Sequence, residues 1–400
     1  MSLKKILFLY WFIIYLYKRI KKGIKMANHL DVEYEFEDND ASSSAFGWDF
    51  QVNAGVYLFL HYIKQAESVI VESKHQDIEI AFQDKILYAQ AKALQDESTT
   101  GTENKKLRDA VVSLAKVNKN SEDDIIYISN LSAPINRERD LFRNDIVSFS
   151  KCPPDIQLHI KQQVALIISN LQTKLKKQKV KDKKKLESLV FRLEKFDYAK
   201  FWIASIYPFG IGDDRDKKIR EKAIDVLTRD MGLDETYAIT YARKILEHWQ
   251  KVLHLDSTLP DKGAQRKYIN KKDFVWTVIA LLSENTTNQI VENSLSCSID
   301  TSIEDECRRY LSDVKSLYHE RFEFMNKVIQ DYERFKPTVP AGQKADDAFI
   351  KSDYWKTVSS EFDDITDLLL KEYVTKCYIY KMINKNSIFL KIKKGVNICE

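Results

Sequence analysis

Two neighbouring segments of the chain alternate polar and apolar side chains, and this alternation is the strongest constraint on the fold. The segments are DIEIAF (Asp77–Phe82) and ILYAQAKA (Ile86–Ala93), and a short turn around Gln83–Lys85 separates them. A period of two places successive side chains on opposite faces of an extended strand. The pattern therefore predicts two strands joined as a β-hairpin, each with a polar and an apolar face.

The pairing register decides whether the two polar faces meet. A symmetric loop of even length places Asp77 opposite Lys92 and Glu79 opposite Gln90, with the opposed Cβ atoms about 5 Å apart. A loop of odd length would turn one polar set to the far face. In the even register two carboxylates, an amide and an ammonium group share one patch. Such a patch can hold a divalent cation and orient a water molecule beside it.

The hairpin and a segment upstream of it resemble a known group of enzymes. The pattern is an aspartate, about a dozen residues and then Q-x-K, preceded by a helix that opens with G-x-x-F-Q. It resembles the PD-(D/E)xK (restriction-endonuclease-like) superfamily, and more narrowly the double-stranded-DNA endonuclease domain of bacterial anti-phage effectors. The resemblance covers roughly residues 45–150. It rests on Asp77, Gln90, Lys92, Gly47, Phe50 and Gln51.

This resemblance implies a Mg²⁺-dependent endodeoxyribonuclease, a phosphodiester hydrolase whose catalytic residues are Asp77, Gln90 and Lys92. Asp77 would bind Mg²⁺ (or Mn²⁺), Gln90 would complete the oxygen shell of the metal, and Lys92 would position the attacking water. The three upstream residues would open the helix that supports the site. Relatives act on double-stranded DNA and occur with cyclic-nucleotide signals or beside a HerA-type ATPase.

One position departs from the pattern of the family. Gln76 stands where relatives often carry a second acid before the aspartate. The metal would then lack one negative charge, unless Glu72 or Glu79 serves as a further ligand. The departure also leaves open an alternative function, a catalytically inactive nuclease-fold protein that acts as a DNA-binding or scaffolding component.

The order of elements predicted from periodicity is helix, three strands, helix and strand. It is also the αβββαβ order of the nuclease superfamily. We therefore predict an α+β fold in which a restriction-endonuclease-like domain precedes a mainly α-helical C-terminal region. The predicted elements are a helix over 46–64, strands Ser68–Ser73, Asp77–Phe82 and Ile86–Ala93, a helix around 107–115 and a strand Asp124–Asn130.

The predicted domains are a leader (1–44), a nuclease-like domain (45–155), a lysine-rich helical connector (156–195) and a helical regulatory or assembly domain (196–400). Residues 6–17 are apolar between lysines, too short a run to span a membrane. Three interpretations stay open for residues 1–25: sequence upstream of a true start at Met26, a short membrane anchor, or a buried helix. Five scattered cysteines without metal-ligand spacing favour reduced thiols in a cytoplasmic protein.

The net charge of +4 does not by itself indicate nucleic-acid binding. Seven of the 63 Lys and Arg residues lie in the first 25 positions, which leaves 56 against 59 acids. Attraction to phosphate must therefore be local. Residues 174–185 contain eight lysines. This segment is either a solvated helix or linker, or a DNA-binding surface beside the nuclease. In the second interpretation the DNA-binding residues are Lys174, Lys176, Lys177, Lys183 and Lys184.

The C-terminal half is expected to control the nuclease. It is poor in glycine and contains no GxxxxGK[ST] motif, so any use of ATP would belong to a partner. We expect a homo-oligomer or assembly with a partner ATPase. No function is assigned to the tail, residues 384–400. The expected elements are a strand Phe201–Pro208 and helices Asp216–Arg229, Asp234–Val252, Lys272–Leu282, Asp305–Phe335 and Ser352–Ile383.

Overall fold

A seven-stranded β-sheet lies at the centre of the structure. The computed structural model describes residues 41–73, 76–94, 102–117, 120, 122–135, 141–142, 145–177, 183–207, 209, 216–257, 268–282 and 318–398. The chain divides into two compact units, Met1–Ala45 and Phe46–Glu400. Residues 1–40 of the predicted leader lie outside the described residues, and so do the alternatives for Met26 and residues 1–25.

The first six elements follow one another in the predicted order, helix, three strands, helix and strand. Each strand is one or two residues shorter than the sequence pattern suggests. The chain is thus a mixed α+β protein, while its membership of the nuclease fold stays a prediction. The elements are α1 (Ala41–His61), β1 (Ser68–Val71), β2 (Ile78–Ala81), β3 (Ile86–Lys92), α2 (Thr102–Ala115) and β4 (Asp124–Ser129).

Strands β2 and β3 form the expected hairpin, but the predicted register is wrong by two residues. Ile78 pairs with Ala89, and Glu79 pairs with Tyr88 instead of Gln90. Because the shift is an even number, every side chain keeps its predicted face. Asp77 consequently falls opposite Gln90, one residue before β2 begins.

The difference in register has its origin at the turn. The N–H of Phe82 donates to the carbonyl of Lys85 at 2.9 Å, so the turn residues are Gln83 and Asp84. Lys85 already belongs to the second arm, where its ammonium group pairs with Asp124 at 2.8 Å. This contact to β4 is long-range, so the hairpin sequence alone could not indicate it.

The sheet continues beyond the boundary that was predicted at residue 155. The added elements are β5 (Ile146–Ser148), α3 (Pro154–Lys177), α4 (Lys183–Glu194), β6 (Phe201–Ser205) and β7 (Ile269–Asn270). The strand order of the sheet is β5-β6-β4-β3-β2-β1-β7, and β4 pairs in parallel with both β3 and β6. A parallel pair requires a long crossover connection, and the predicted connector supplies it between β4 and β6 as the two helices α3 and α4.

Helices cover both faces of the sheet. On one face the buried side chains of α1 pack with Ile78, Ile80 and Ala89 and with the helices that follow β6. On the other face α2, α3 and α4 pack around Tyr88 and Tyr127. Residues 52–60 of α1 are buried on all sides, which is expected of a helix enclosed between a sheet and further helices.

The C-terminal region is mainly helical, as predicted, but its boundaries differ. The predicted helix Ser352–Ile383 is interrupted, because Asp367 caps a new helix by accepting the N–H of Leu370 at 2.8 Å. Residues 305–317 of another predicted helix lie outside the described residues. The helices are α5 (Lys217–Asp225, continued by a π-helical turn Val226–Asp230), α6 (Glu235–Ser257), α7 (Lys271–Leu282), α8 (Tyr318–Phe335), α9 (Ala345–Lys351), α10 (Tyr354–Val358), α11 (Leu368–Asn384) and α12 (Asn386–Gly395).

Helix α12 places most of the tail for which the sequence indicated no structure. Phe389 and Ile392 on this helix are buried in the core of the first face. None of the helices in the described ranges is long and apolar enough to cross a membrane.

Two glycines of α1 give a matched test of how closely this helix approaches the sheet. A Cβ atom at Gly55 would lie 2.8 Å from Cγ2 of Val71, whereas a Cβ atom at Gly47 would meet nothing within 4 Å. Gly55→Ala should therefore lower the free energy of unfolding by about 1–2 kcal/mol through overpacking. Gly47→Ala should leave it unchanged or raise it by up to about 1 kcal/mol, because alanine favours the helix. Urea denaturation followed by circular dichroism measures both, and equal effects would contradict the close packing.

Candidate active site

Asp77 lies in the turn between β1 and β2, where several backbone contacts fix its position. The N–H of Glu72 donates to the carbonyl of Asp77 at 2.6 Å, and Glu72 has a left-handed backbone with φ of 53°. The hydroxyl of Ser73 accepts the N–H of Gln76 at 2.9 Å. Together these bonds hold Asp77 directly before the first residue of β2 and beside the last residues of β3.

Three groups of β3 contact the same oxygen of the Asp77 carboxylate. The N–H of Ala91 donates to Oδ2 at 3.0 Å, and the side-chain amide of Gln90 donates to the same oxygen. The ammonium group of Lys92 lies 3.6 Å from it. The structure thus brings the three predicted catalytic residues together around one carboxylate, although their catalytic roles stay predictions.

A fourth contact to Asp77 comes from the supporting helix α1. The side chain of Gln51 hydrogen-bonds to the Asp77 carboxyl group, while its Oε1 is buried without a hydrogen-bond partner. Phe50, the preceding residue, is fully buried in the core and fixes the turn of helix that carries Gln51. Gly47 lies one turn earlier, and its Cα has open space around it, so its place in the motif does not reflect a close backbone approach.

The site is only partly accessible to water. The side chains of Asp77 and Lys92 are 17% and 25% exposed, and Gln90 is buried. Burial raises the pKa of Asp77 above its ordinary value. The charge of Lys92 and the hydrogen bonds from Ala91 and Gln51 offset part of that rise. The carboxylate is therefore poorly hydrated, and its ionised form would gain from a further positive charge.

The two further acids, Glu72 and Glu79, do not join Asp77 in one ligand cluster. Glu79 accepts a hydrogen bond from the hydroxyl of Ser73 at 2.5 Å, and Glu72 forms the left-handed residue of the turn. Within the described ranges, no group of three or more His, Cys, Asp or Glu side chains could hold a metal ion. A site built from Asp77, Glu72 and Glu79 is therefore not formed in this structure.

Gln76, the residue that departs from the family pattern, has a structural contact. Its Nε2 donates to the carbonyl of Ser113 on α2 at 2.9 Å, and its Oε1 is buried without a partner. The side chain links the turn that carries Asp77 to helix α2. The position where the PD-(D/E)xK pattern often has an acid thus carries a glutamine here that joins the turn to the helix.

Asp109 on α2 is an acid that the sequence pattern did not single out and whose pKa is influenced by Lys92. Asp109 lies one helical turn before Ser113, so both residues face the same side of α2. Burial raises the pKa of Asp109, and Lys92 is the strongest of the cations that lower it. Lys105, Lys106 and Arg108 of the same helix act in the same direction. The signal in the sequence is a single aspartate within the basic segment KKLRDA.

Asn130 is a second residue that the sequence pattern did not single out. Its Oδ1 accepts the N–H of Leu94 at 2.9 Å, and its Nδ2 donates to the carbonyl of Leu94 at 2.7 Å. These bonds tie the chain just after Lys92 to the end of β4. The signal for Asn130 in the sequence is a polar residue directly after an apolar strand segment.

The predicted DNA-binding lysines lie at the C-terminal end of α3 and the N-terminal end of α4. Lys176, Lys183 and Lys184 are exposed and Lys174 is half-buried, while the side chain of Lys177 is outside the described residues. Helix α3 contacts α2 where Arg108 donates to Gln163 at 2.7 Å, and Lys174 lies about 16 Å further along the axis of α3. Their binding to DNA stays a prediction.

Comparisons with known proteins do not identify a family. No protein-family model matches the chain, and no curated protein matches it. Among solved structures, one similar chain is the SAVED/CARF-domain containing receptor Cap4 of Moraxella osloensis, at 16% identity and a TM-score of 0.30. The match covers 71% of this chain and 60% of that chain, so this chain spans less than two thirds of the receptor. At this score the likeness carries no argument about function.

The raised pKa of Asp77 predicts a stabilising substitution at the site. Asp77→Asn should raise the free energy of unfolding at pH 8, because it removes a poorly hydrated charge. A protein with an acid whose pKa is higher in the folded state than in the unfolded state becomes less stable as pH rises from the unfolded pKa to the folded pKa. The gain from Asp77→Asn should therefore grow over that window and vanish below about pH 4, near the pKa of an unfolded aspartate.

Urea denaturation between pH 4 and pH 8 measures this gain. Asp84→Asn is the control, since Asp84 is exposed in the hairpin turn and its substitution should change little. A loss of stability in Asp77→Asn at pH 8 would contradict the account of the buried carboxylate.

Proposed function

We propose that the chain is a metal-dependent double-stranded DNA endonuclease that acts as an effector in bacterial anti-phage defence. One observation carries the proposal: Gln90 and Lys92 of β3 converge on the carboxylate of Asp77. The spacing of these residues resembles the PD-(D/E)xK pattern. The convergence supports the proposal because residues thirteen and fifteen positions downstream of Asp77 need not have met it at all.

The residues around Asp77 fit a divalent cation that keeps much of its shell as water and substrate oxygen. Mg²⁺ binds through hard oxygen ligands and needs only one or two carboxylates from the protein. Asp77 offers a carboxylate, and the unpartnered Oε1 of Gln51 is a buried amide oxygen nearby. Gln90 donates its amide N–H groups to Asp77 at present, and rotation of that amide would present Oε1 instead. Asp77 and Gln90 would hold the ion, and Mn²⁺ would fit the same ligands.

The other groups can orient the reactants. When bound, the metal ion would polarise a phosphate oxygen and lower the pKa of a coordinated water. Lys92, beside Asp77 and partly exposed, can donate a hydrogen bond to the attacking water and stabilise negative charge on the phosphate. The N–H of Ala91 and the side chain of Gln51 hold the Asp77 carboxylate in position. Each contact would limit the movement of the Asp77 carboxylate and so preserve the geometry in which water attacks the phosphate.

Uncontrolled cleavage of double-stranded DNA would kill the host, so the proposal includes control by the C-terminal region. Strand β7 pairs with β1, which joins the region after residue 196 directly to the sheet that carries the site. We propose that self-assembly or a partner ATPase acts through this region. A cyclic-nucleotide signal is the other mode of control that the resemblance suggests.

A non-catalytic role is the second candidate, and one observation favours it. The only acid that contacts Gln90 and Lys92 in the described residues is Asp77, and Gln76 is engaged with Ser113. A site with one fewer acid than its relatives would bind metal weakly. The chain would then bind DNA or serve as a scaffold without cutting it.

Two lysines at opposite ends of β3 allow a matched test of catalysis. Lys92 and Lys85 are both ion-paired, with Asp77 and Asp124 respectively. In a plasmid digestion with Mg²⁺, Asp77→Ala and Lys92→Met should each lower the rate by about 100-fold or more, since each removes a charge from the reacting centre. Lys85→Met should leave the rate within a few fold of the unaltered protein.

The outcome separates the candidate functions. Cleavage that survives both site substitutions would remove these residues from the mechanism. DNA binding without cleavage under Mg²⁺ or Mn²⁺, measured by electrophoretic mobility shift, would favour the scaffolding role.

A further inference from the structure

Helix α6 of the C-terminal region makes polar contacts with α1, the helix that carries Gln51. The indole N–H of Trp48 donates to Nδ1 of His254 at 2.8 Å. Because an indole nitrogen can only donate, Nδ1 is the unprotonated ring nitrogen. Nε2 therefore carries the proton, and it lies 3.6 Å from Oδ1 of Asp49. Trp48 and Asp49 are the two unspecified residues of the G-x-x-F-Q motif, so α6 contacts the motif itself.

A second bond from α6 reaches α1 one turn further along. Nε2 of Gln250 donates to Oδ1 of Asn53 at 2.7 Å, and Nδ2 of Asn53 donates to the carbonyl of Asp49 at 2.8 Å. Asn53 is buried, so loss of either bond would leave an amide group without water to replace its partner. His254 follows Gln250 by four residues, so both side chains project from one face of α6. Their contacts on α1 lie before and after Gln51 in the sequence.

Gln51 itself lies on the side of α1 that faces the sheet. A Cβ atom at Gly55, one turn later, would lie 2.8 Å from Val71 and 3.7 Å from Ile78. Residues four apart share one face of a helix, so Gln51 faces the sheet near Asp77, which directly precedes Ile78. Gln51 hydrogen-bonds to the Asp77 carboxyl group. The residues two positions before and after Gln51 point to the other side of α1, because 3.6 residues make one turn.

The polar bonds fix the rotation of α1 in a way that its apolar packing does not. Apolar contacts are non-directional, and Gly55 has no side chain that could interlock with the sheet. Hydrogen bonds prefer a narrow range of angles, so the bonds to Gln250 and His254 favour one rotation of α1 about its axis. A different rotation would carry Gln51 away from Asp77. A displacement of about 1 Å in a group of an active site can lower the rate by about 100-fold.

We propose that Gln250 and His254 are positioning residues of the candidate active site, which hold the turn of α1 that carries Gln51 and thereby the carboxylate of Asp77. This inference rests on the proposed nuclease function. It names the contact through which the C-terminal region acts on the site, although the two residues lie 197 and 206 positions after their partners in α1. A movement of α6 would release these bonds and slow cleavage.

Two replacements of His254 give a matched test of the proposal. His254→Asn places an amide oxygen close to the position of Nδ1, where it can accept the indole N–H of Trp48, whereas His254→Leu offers no acceptor. In plasmid cleavage at saturating Mg²⁺, His254→Leu and Gln250→Leu should each lower the maximal rate by roughly 10-fold or more. His254→Asn should keep the rate within a few fold of the unaltered protein.

Two further variants show whether the effect passes through Gln51. Leu253 lies between the two positioning residues and is buried in the core, so Leu253→Ala should lower the urea midpoint while the folded protein keeps its maximal rate within a few fold. In a Gln51→Leu background, His254→Leu should lower the rate no further, because both changes remove the same interaction.

Three kinetic results would overturn the inference. Unchanged maximal rates in both His254→Leu and Gln250→Leu would show that the site does not need these bonds. An equal loss of rate in Leu253→Ala would show that any loosening of α6 has the same effect. A full further loss when His254→Leu is added to Gln51→Leu would show that His254 does not act through Gln51.

Amide hydrogen exchange tests the link without relying on cleavage. The N–H of Ala91 donates to Oδ2 of Asp77 at 3.0 Å, so a displaced carboxylate would leave this amide less protected. His254→Leu should speed exchange at Ala91 several-fold, and His254→Asn should not. Unchanged exchange at Ala91 in His254→Leu would eliminate the link. If the unaltered protein cuts no DNA under any metal while exchange at Ala91 responds to His254→Leu, the nuclease proposal fails and the link between α6 and Asp77 stands.

Discussion

The register between β2 and β3 is the constraint on which the candidate site depends. Strand β3 pairs antiparallel with β2 on one side and parallel with β4 on the other, so both halves of the sheet fix its position. This double pairing sets Asp77 opposite Gln90 and brings Lys92 within 3.6 Å of the carboxylate. A shift of one residue would turn the apolar set toward α2 and scatter the polar groups. The same pairings that bury the core thus assemble the site.

The central carboxylate is held in an environment that does not favour its charge. Burial raises the pKa of Asp77, and its hydrogen bonds and Lys92 offset that effect only in part. Groups whose pKa is strongly shifted by burial and by a specific charged partner concentrate at functional sites. The side-chain amide oxygens of Gln51 and Gln76 are also buried polar atoms, and neither has a hydrogen-bond partner. Buried oxygen atoms without donors lower stability, and a bound cation is one partner that could satisfy the oxygen of Gln51.

The sequence indicated local structure better than long-range arrangement. The alternation in Asp77–Phe82 and Ile86–Ala93 predicted the hairpin and the faces of its side chains, because a strand has a fixed period. The register was not predicted, because alternation fixes the face of each side chain but not which residues are opposed, and the two-residue turn closed by Phe82 and Lys85 sets the pairing. The placement of β6 between β4 and β5 was equally inaccessible, because pairing between distant strands leaves no periodic pattern. Asp109 escaped notice because the effect of Lys92 on its pKa arises only once α2 is packed on the sheet.

Anomalous diffraction from crystals grown with Mn²⁺ would show whether Asp77 binds a metal ion. If it does, an anomalous peak should lie beside the carboxylate of Asp77, with Gln90 or Gln51 turned so that an amide oxygen faces the ion. Crystals of the Asp77→Asn variant grown in the same way should lack the peak, which controls for adventitious binding. A peak at any other acidic group, or an empty site at saturating Mn²⁺ in crystals of the unaltered protein, would rule out Asp77 as the metal ligand.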